Sequence, residues 1–147
     1  MLNIQKIRQS HRRFLSAHDS AVARSLDDAR NEGIAFVQRE PGFKPRTGEL
    51  QRATTGQIVR TSRGSVIKLQ NRKPYAGPID KGSPRHPIAA RSKALRFTSS
   101  AGVLIFRRRV NHPGNKPYRF LSRATTAAAG TFVSRMRSRM TVIARNF

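Results

Sequence analysis

The sequence predicts an α+β fold with a long N-terminal helix, an antiparallel sheet of about four strands and a C-terminal helix packed on the sheet. All eight prolines lie between Pro41 and Pro117, which leaves both ends of the chain free to form long helices. Apolar residues recur at helical spacing in those two ends, whereas the middle holds short segments typical of strands. At 147 residues the chain fits one domain. We divide it into a helical arm at 1–40, a sheet with ordered loops at 41–117 and a C-terminal helix at 118–147.

The N-terminal arm carries one apolar stripe at nearly heptad spacing, which predicts a helix from about residue 3 to residue 39. The stripe consists of Ile4, Ile7, Phe14, Val22, Leu26, Ala29 and Gly33, with His11 and His18 in line with them. Such a helix is roughly 55 Å long, which is more than a small domain needs to cover itself. We therefore expect part of the stripe to pack on a neighbouring subunit, a break near residues 16–19 being the alternative. Pro41 and Gly42 end the helix.

The middle of the chain predicts two β-hairpins. The first joins 57–61 to 65–69 through Ser62-Arg63-Gly64, and the second joins 88–98 to 102–110 through Ser99-Ser100-Ala101. Four prolines and two glycines between Pro74 and Pro87 favour an ordered loop between the hairpins. The two hairpins together supply the four strands of the expected sheet.

The C-terminal arm has one apolar helix face. The face consists of Leu121, Ala124, Ala128, Phe132, Met136, Met140 and Ile143. Arg135 and Arg139 form a basic pair one turn apart on a different face. The small run at 127–130 either permits close helix packing or is only a good helix-forming tract with one weak glycine.

The chain is strongly basic, since Lys and Arg total 30 against 7 Asp and Glu, a formal charge of +23. Twenty-three of the cations are Arg, whose planar group suits flat contacts with phosphate or carboxylate. The charge is uneven: residues 1–49 carry nine Lys/Arg and six Asp/Glu, and residues 50–147 carry twenty-one and one. Self-repulsion of this size indicates a polyanionic partner or acidic neighbours.

Arg107, Arg108 and Arg109 follow an apolar run, so this strand is expected to be buried at one end and to emerge at the other. On a regular strand Arg107 and Arg109 share one face and Arg108 lies on the opposite face. These side chains either contact phosphates or form a solvated strand end or an intersubunit salt bridge. The same alternatives hold for the arginines near the first hairpin, which are Arg60, Arg63 and Arg72.

Any contact with nucleic acid is expected to go through the phosphate backbone and to be insensitive to sequence. Only Phe97 and Phe106 are aromatic residues on the expected strands, which is too few for base stacking of the single-strand-binding kind. No zinc-finger, RNA-binding or basic helix-turn-helix signature occurs.

The inventory for catalysis is poor, and we expect neither an enzyme, a metal site nor a cofactor. The chain has no Cys, and Asp80 is its only acid beyond residue 50. Asp80 with His86 and His112 lacks any recognised ligand spacing. A hydrogen bond from His112 to a turn before Pro113 is the better interpretation of that histidine.

The apolar runs of the sequence are short. The longest stretch of strongly apolar residues, Val103–Phe106, is far below the length of a membrane span, and the N-terminus has no apolar signal segment. We therefore expect no membrane partner, and the absence of Cys suits a reducing compartment.

Five short motifs follow one another in a particular order. They are Thr47-Gly48-Glu49-Leu50, then Tyr75-Ala76-Gly77-Pro78-Ile79-Asp80-Lys81-Gly82, Ala94-Leu95-Arg96-Phe97, His112-Pro113-Gly114 and Lys116-Pro117-Tyr118-Arg119-Phe120-Leu121. In this order and spacing, over roughly residues 45–147, the chain resembles the minor tail or tail-completion (neck) proteins of long-tailed bacteriophages. The family usually has Glu where this chain has Asp80, and its members are less rich in arginine.

The resemblance implies a virion structural protein of α+β fold that forms an oligomeric ring, a hexamer, at the head–tail junction. It would be assembled in the host cytoplasm and would join the head connector, on the portal side, to tail-tube or tail-terminator proteins. Genomic DNA would pass through it without sequence-specific contacts.

The resemblance also implies roles for individual residues. The structural motif residues would be Gly48, Leu50, Tyr75, Asp80, Gly82, His112, Pro113, Gly114 and Phe120. Tyr75 and the 112–114 turn would hold the sheet and the final helix together, and Asp80 would pair with a neighbouring Arg. The six arginines named above would face the DNA passage or an acidic connector.

Two other functions remain open from the sequence. One is a free-standing basic nucleic-acid-binding protein with sequence-independent phosphate contacts. The other, which is least favoured, is a hydrolase that uses Asp80 with His86 or His112.

Overall fold

The protein, described here by a computed structural model over residues 4–146, combines helices with small antiparallel sheets. The helices are α1 (Ile4–Arg39), α2 (Glu49–Arg52), α3 (Ala76–Lys81) and α4 (Phe120–Asn146). The strands are β1 (Thr54–Thr61), β2 (Gly64–Asn71), β3 (His86–Ala89), β4 (Leu95–Thr98), β5 (Leu104–Arg107) and β6 (Arg109–His112). The predicted α+β class is confirmed, with both long helices in place. The expected helix boundaries at residues 3 and 147 lie outside the described residues.

The chain forms two compact units, and the expected single domain with three consecutive parts stays a prediction. The first unit comprises the described residues up to Lys73 together with those from Phe120 onward. The second unit is Pro74–Arg119. The two helical ends of the chain belong to one unit because α1 and α4 pack along each other.

Helix α1 runs without a break through residues 16–19 and is 36 residues long, which corresponds to about 54 Å. It ends at Arg39, and the backbone N–H of Glu40 still donates to the carbonyl of Phe36 at 2.8 Å. Pro41 ends the helix there, because proline has no N–H and restricts the residue before it.

Helices α1 and α4 run antiparallel. Arg123, near the start of α4, contacts Phe36 near the end of α1, whereas Arg139 pairs with Asp28 further back along α1. The buried residues of α1 recur every fourth position: Ala21, Ser25, Ala29, Gly33 and Val37. Those of α4 are Phe120, Ala124, Ala128 and Ile143. A Cβ atom on Gly33 would lie 3.3 Å from the Cβ of Ala128, so small side chains set how closely the helices approach.

The buried column of α1 lies partly beside the predicted stripe. Ala29 and Gly33 are buried as expected, but Val22 and Leu26 are only half-buried and their neighbours Ala21 and Ser25 are fully covered. The cause is that α1 has two packing partners. The small residues face α4, while Val22 and Leu26 line a groove with Ile58 of β1.

Strands β1 and β2 form the predicted first hairpin, longer than expected, with Ser62 and Arg63 as its turn. The hydroxyl of Thr61 donates to the carbonyl of Gly64 at 2.9 Å and accepts from the N–H of Arg63 at 3.3 Å. Gly56 lies against α1, because a Cβ at this position would come within 2.7 Å of the Arg30 side chain.

The second predicted hairpin is present but interrupted. Strand β4 pairs with β5 near the turn, and β3 pairs with β6 below them, both in antiparallel register. Between the two ladders residues 90–94 face the single residue Arg108, whose carbonyl accepts the N–H of Ala90 at 2.8 Å. The chain therefore bulges on one side at this level.

The expected four-stranded sheet is replaced, within residues 4–146, by three two-stranded sheets. The bulge at 90–94 splits the second hairpin into two of them, since the extra residues cannot continue the ladder. The predicted packing of the C-terminal helix on the sheet is confirmed only for a contact with β2, and α4 packs mainly along α1. Helix α3 was not predicted; it lies where an ordered loop was expected.

No helix in the described part of the chain is long and apolar enough to cross a membrane.

Candidate functional site

Three of the candidate arginines surround the first hairpin. Arg60 lies near the end of β1 opposite Ser65, Arg63 lies in the turn and Arg72 follows the last residue of β2. All three are exposed. The hydrogen bonds of Thr61 fix the turn, so the backbone that carries Arg63 has a defined conformation.

The other three candidates lie along the interrupted strand of the second hairpin. Arg107 ends β5, Arg108 occupies the bend and Arg109 begins β6, and all three are exposed. The expected placement of Arg107 and Arg109 on one face and Arg108 on the other requires a continuous strand. The strand is interrupted by the bend at Arg108, so this requirement is not met. Three neighbouring guanidinium groups are nevertheless presented from one short stretch of backbone.

The acidic side chains of the first unit are all engaged within that unit. Glu32 pairs with Arg39, Glu49 with Lys73, and Asp28 with both Arg135 and Arg139; the remaining pairs are His18–Asp19, Arg30–Asp27 and Arg123–Glu40. None of the six candidate arginines forms an ion pair with an acidic side chain anywhere in residues 4–146. Their charge is therefore left to solvent or to a partner.

The second unit has the higher ratio of basic to acidic residues of the two units. Residues 74–119 contain ten Lys and Arg and one acid, Asp80. A surface of this composition attracts polyanions and repels other copies of itself.

Asp28 of α1 forms ion pairs with Arg135 and Arg139 of α4. Arg139 donates to its carboxylate at 2.8 Å and to the hydroxyl of Ser25, also at 2.8 Å. The hydrogen bond from Arg139 is the main reason that the pKa of Asp28 is lowered; desolvation opposes it, and the charges of Arg139 and Arg135 lower the pKa further. In the same way, the hydrogen bond from Lys73 lowers the pKa of Glu49. Arg135, Arg139 and Lys73 therefore form ion pairs within the first unit.

Three of the motif residues build the region around α2 and the start of α4. Gly48 has φ 72° and precedes α2, where its carbonyl accepts the N–H of Arg52 at 3.1 Å. Leu50 is buried, and its carbonyl accepts from Asn71 at 2.6 Å. Phe120 is fully buried, with its ring edge-on to Phe43 at 5.8 Å between centroids. The structural role that the resemblance implies for these three residues stays a prediction.

Tyr75, Asp80 and Gly82 lie on or beside α3. Tyr75 is 41% exposed, and its carbonyl accepts the N–H of Ile79 at 3.2 Å. Asp80 is buried, and its carbonyl accepts the N–H of Arg119 at 2.9 Å. Gly82 has φ 83°, and a Cβ there would lie 3.0 Å from the carbonyl oxygen of Asn115. The pairing of Asp80 with a neighbouring Arg and the role of Tyr75 in holding the sheet to the final helix stay predictions.

The turn at His112, Pro113 and Gly114 packs against the segment that follows α3. The Nδ1 atom of His112 accepts the N–H of Gly114 at 3.1 Å, a hydrogen bond within the turn rather than to a turn before Pro113. Gly114 has φ 84°, and Asn115 exchanges two backbone hydrogen bonds of 3.0 Å with Ser83.

His86 and His112 lie side by side, with ring centroids 5.1 Å apart. The Nδ1 atom of His86 is 2.9 Å from the carbonyl of Pro84, and that of His112 is used by Gly114. No group of three or more residues suited to metal binding occurs in the part of the chain that the structure describes.

The sequence reasoning missed one feature of the second hairpin. Leu104 and Phe106 are 45% and 56% exposed, and Arg96 lies directly opposite Phe106 in the register. The prediction of a buried strand end at 103–106 is therefore wrong for Leu104 and Phe106, because the strand opposite them does not cover their face.

The sequence matches no family model, no curated protein and no solved structure.

Proposed function

We propose that this protein is a virion structural protein of a long-tailed bacteriophage, a tail-completion or neck subunit at the head–tail junction. It forms a ring, a hexamer, that joins the head connector on the portal side to tail-tube or tail-terminator proteins. Genomic DNA passes through the ring and is contacted without regard to sequence.

The observation that carries the proposal is the set of side chains that the two hairpins expose. They present six exposed arginines that have no acidic partner within residues 4–146, and the second hairpin also exposes large apolar side chains. Charge without a partner supports contact with a polyanion, and uncovered apolar surface supports assembly with other proteins. The order of the five sequence motifs supports the phage setting.

The test is to measure the mass of the purified protein by light scattering and to image it by negative-stain electron microscopy, with and without duplex DNA. The proposal expects a closed ring that forms without DNA and binds duplexes of unrelated sequence equally. It further expects the ring to bind a purified connector or a tail-tube end.

The alternative is a free-standing nucleic-acid-binding protein, favoured by the charge of +23 alone. It expects a monomer at every concentration that binds duplex tightly, with affinity falling steeply as salt rises. That result would refute the neck proposal.

A further inference from the structure

The outer part of the second hairpin has an apolar face that nothing in the described chain covers. Residues paired across β4 and β5 lie on the same face, which places Arg96 and Thr98 beside Phe106 and Leu104. All four side chains are exposed, Leu104 by 45% and Phe106 by 56%. We call Arg96, Thr98, Leu104 and Phe106 the tip face.

A two-stranded hairpin of this kind is marginally stable when it stands alone in water. It becomes stable when one face is covered by a helix or by further strands. An aromatic side chain buries about 150–250 Å² in all, and Phe106 is still 56% exposed, so a partner on the tip face would remove roughly half of that area from water.

The first unit has a groove of complementary character. Its apolar floor is formed by Val22 and Leu26 of α1 with Ile58 of β1, and its volume is about 520 Å³. Asp19 and Asp27 lie on its rim with side chains that are 81% and 52% exposed. Asp19 is 3.3 Å from His18 and Asp27 pairs with Arg30 at 3.1 Å, and Arg60 also lines the groove, so the two carboxylates attract a further guanidinium through the surface that they leave exposed. We call this the α1 groove.

We propose that the tip face of one copy of the chain docks into the α1 groove of a second copy, with Phe106 and Leu104 on the apolar floor and Arg96 beside the acidic rim. This rests on the proposed function, because it names the contact that would build the ring. The groove supplies what the tip lacks: an apolar floor and carboxylates.

Charge decides against a contact between two tip faces. Residues 86–112 contain Arg91, Lys93, Arg96 and three further arginines at 107–109, and no acid. Two such hairpins side by side would bring like charges together, which disfavours the contact. The acids of the chain outside Asp80 lie between Asp19 and Glu49, so the second copy offers them only on its first unit.

Because the two surfaces differ, the contact is head-to-tail. Each copy then has one tip and one groove to offer, so that the assembly either closes into a ring or grows as a filament. Arg107, Arg108 and Arg109 follow the tip along the strand and remain available for phosphate contact.

The chain has no cysteine, which allows a direct test by disulfide trapping. We would prepare Phe106→Cys and Leu26→Cys as separate variants of the full chain, oxidise each alone and as an equimolar mixture, and separate the products on a non-reducing gel. Each variant alone is expected to stay monomeric, and the mixture is expected to give a dimer and nothing larger. A chain with both substitutions is expected to give a ladder up to the size of the ring.

The matched control pairs Phe106→Cys with Val133→Cys, a side chain of α4 that is 56% exposed but lies outside the groove. This mixture is expected to give no dimer above background. Trapping of Phe106→Cys with itself would overturn the head-to-tail contact, and so would equal trapping to Val133→Cys. Loss of the Phe106–Leu26 dimer on addition of a short duplex at physiological salt would assign the tip face to nucleic acid and would also overturn it.

A charge swap provides a second measurement. Arg96→Glu is expected to raise the protein concentration at half-assembly by at least about tenfold, and Asp19→Lys with Asp27→Lys in the same chain is expected to reverse most of that change. If the native chain forms rings but neither trapping nor Arg96→Glu has these effects, the docking contact is wrong and the proposed function stands. If the native chain is a monomer at all concentrations, both fail.

Discussion

Gly114 occupies a position in the second unit that no other residue fits. Its φ is 84°, a conformation that side chains disfavour, and a Cβ atom would overlap the carbonyl oxygen of Ser83. We expect Gly114→Ala to destabilise the second unit by at least about 1–3 kcal/mol, because strain and overlap add. Urea unfolding followed by tyrosine fluorescence would measure it, because both tyrosines of the chain, Tyr75 and Tyr118, lie in this unit.

The control for this substitution is Gly77→Ala in the same unit. Gly77 lies in α3 with nothing within 4 Å of an added Cβ. Alanine meets no packed neighbour there, and its only cost is that Pro78 disfavours helical backbone at a preceding residue that has a Cβ, so the loss of stability is expected to be smaller than for Gly114→Ala. Equal losses in the two variants would show that the turn at Gly114 is not closely packed.

Asp28 gives the first unit a predictable response to acid. Its pKa is lowered in the folded protein chiefly by the hydrogen bond from Arg139, so its contribution is present above the unfolded pKa of about 3.9 and is lost as pH falls through the folded value. We expect Asp28→Asn to lower the melting temperature at neutral pH by a few degrees. The difference from the native chain should shrink below about pH 4, where the native carboxylate also becomes protonated.

Asp27→Asn is the matched control, since it removes the same charge from an exposed pair with Arg30 on α1 alone. It should change the melting temperature little at any pH. A gap between Asp28→Asn and the native chain that is as wide in acid as at neutral pH would contradict the role assigned to the carboxylate.

At the scale of elements, small side chains along the seam between α1 and α4 allow the two helices to approach closely. Ala29 is fully buried, and its neighbour in the seam, Gly33, lies against Leu69 and Ala128. We expect Ala29→Leu to cost about 1–3 kcal/mol, because the added carbons have no space without moving one helix. Thermal unfolding by circular dichroism at 222 nm would measure it.

Ala144→Leu on α4 is the control, because Ala144 is exposed and the two residues are both good helix formers. It is expected to change stability by less than about 0.5 kcal/mol. If Ala29→Leu proved as mild as this control, the seam would have room that the structure does not show.

The elements themselves could largely be predicted from local pattern. Proline positions and alternation, which act over a few residues, predict the C-terminal end of α1, the tight turn at Ser62-Arg63 and the pairing of the second hairpin. The bulge opposite Arg108 and the short helix α3 could not be predicted in this way, since they depend on how the 74–119 segment packs on itself.

At the scale of the whole molecule, the charge has two separable uses. Cations such as Arg139 and Lys73 neutralise the acids of the first unit, whereas the arginines at 107–109 have no such partner in residues 4–146. We expect replacement of Arg107, Arg108 and Arg109 by Gln to weaken duplex binding equally for all sequences. The slope of log affinity against log salt should fall by up to about 2.7, since each phosphate contact contributes about 0.9.

The control removes the same charge from α1, as Arg8, Arg12 and Arg13 to Gln. These residues are also exposed. If binding depends only on total charge, both triple variants will change the slope alike, and the assignment of the contact to the second hairpin will be wrong. Filter-binding or anisotropy titrations over a range of salt concentrations would distinguish the two.

The sequence by itself determined the α+β class, the two long helices, the two hairpins and the concentration of positive charge beyond residue 50. These follow from composition and from periodicity along the chain. Only the tertiary structure decided which column of α1 is buried, because Ala21 and Val22 fit helical spacing equally well until α4 and β1 are both in place. It also decided that Arg139 pairs with Asp28, whereas Arg96 and Phe106 are exposed. The partners and the burial of a side chain depend on neighbours that are distant in sequence.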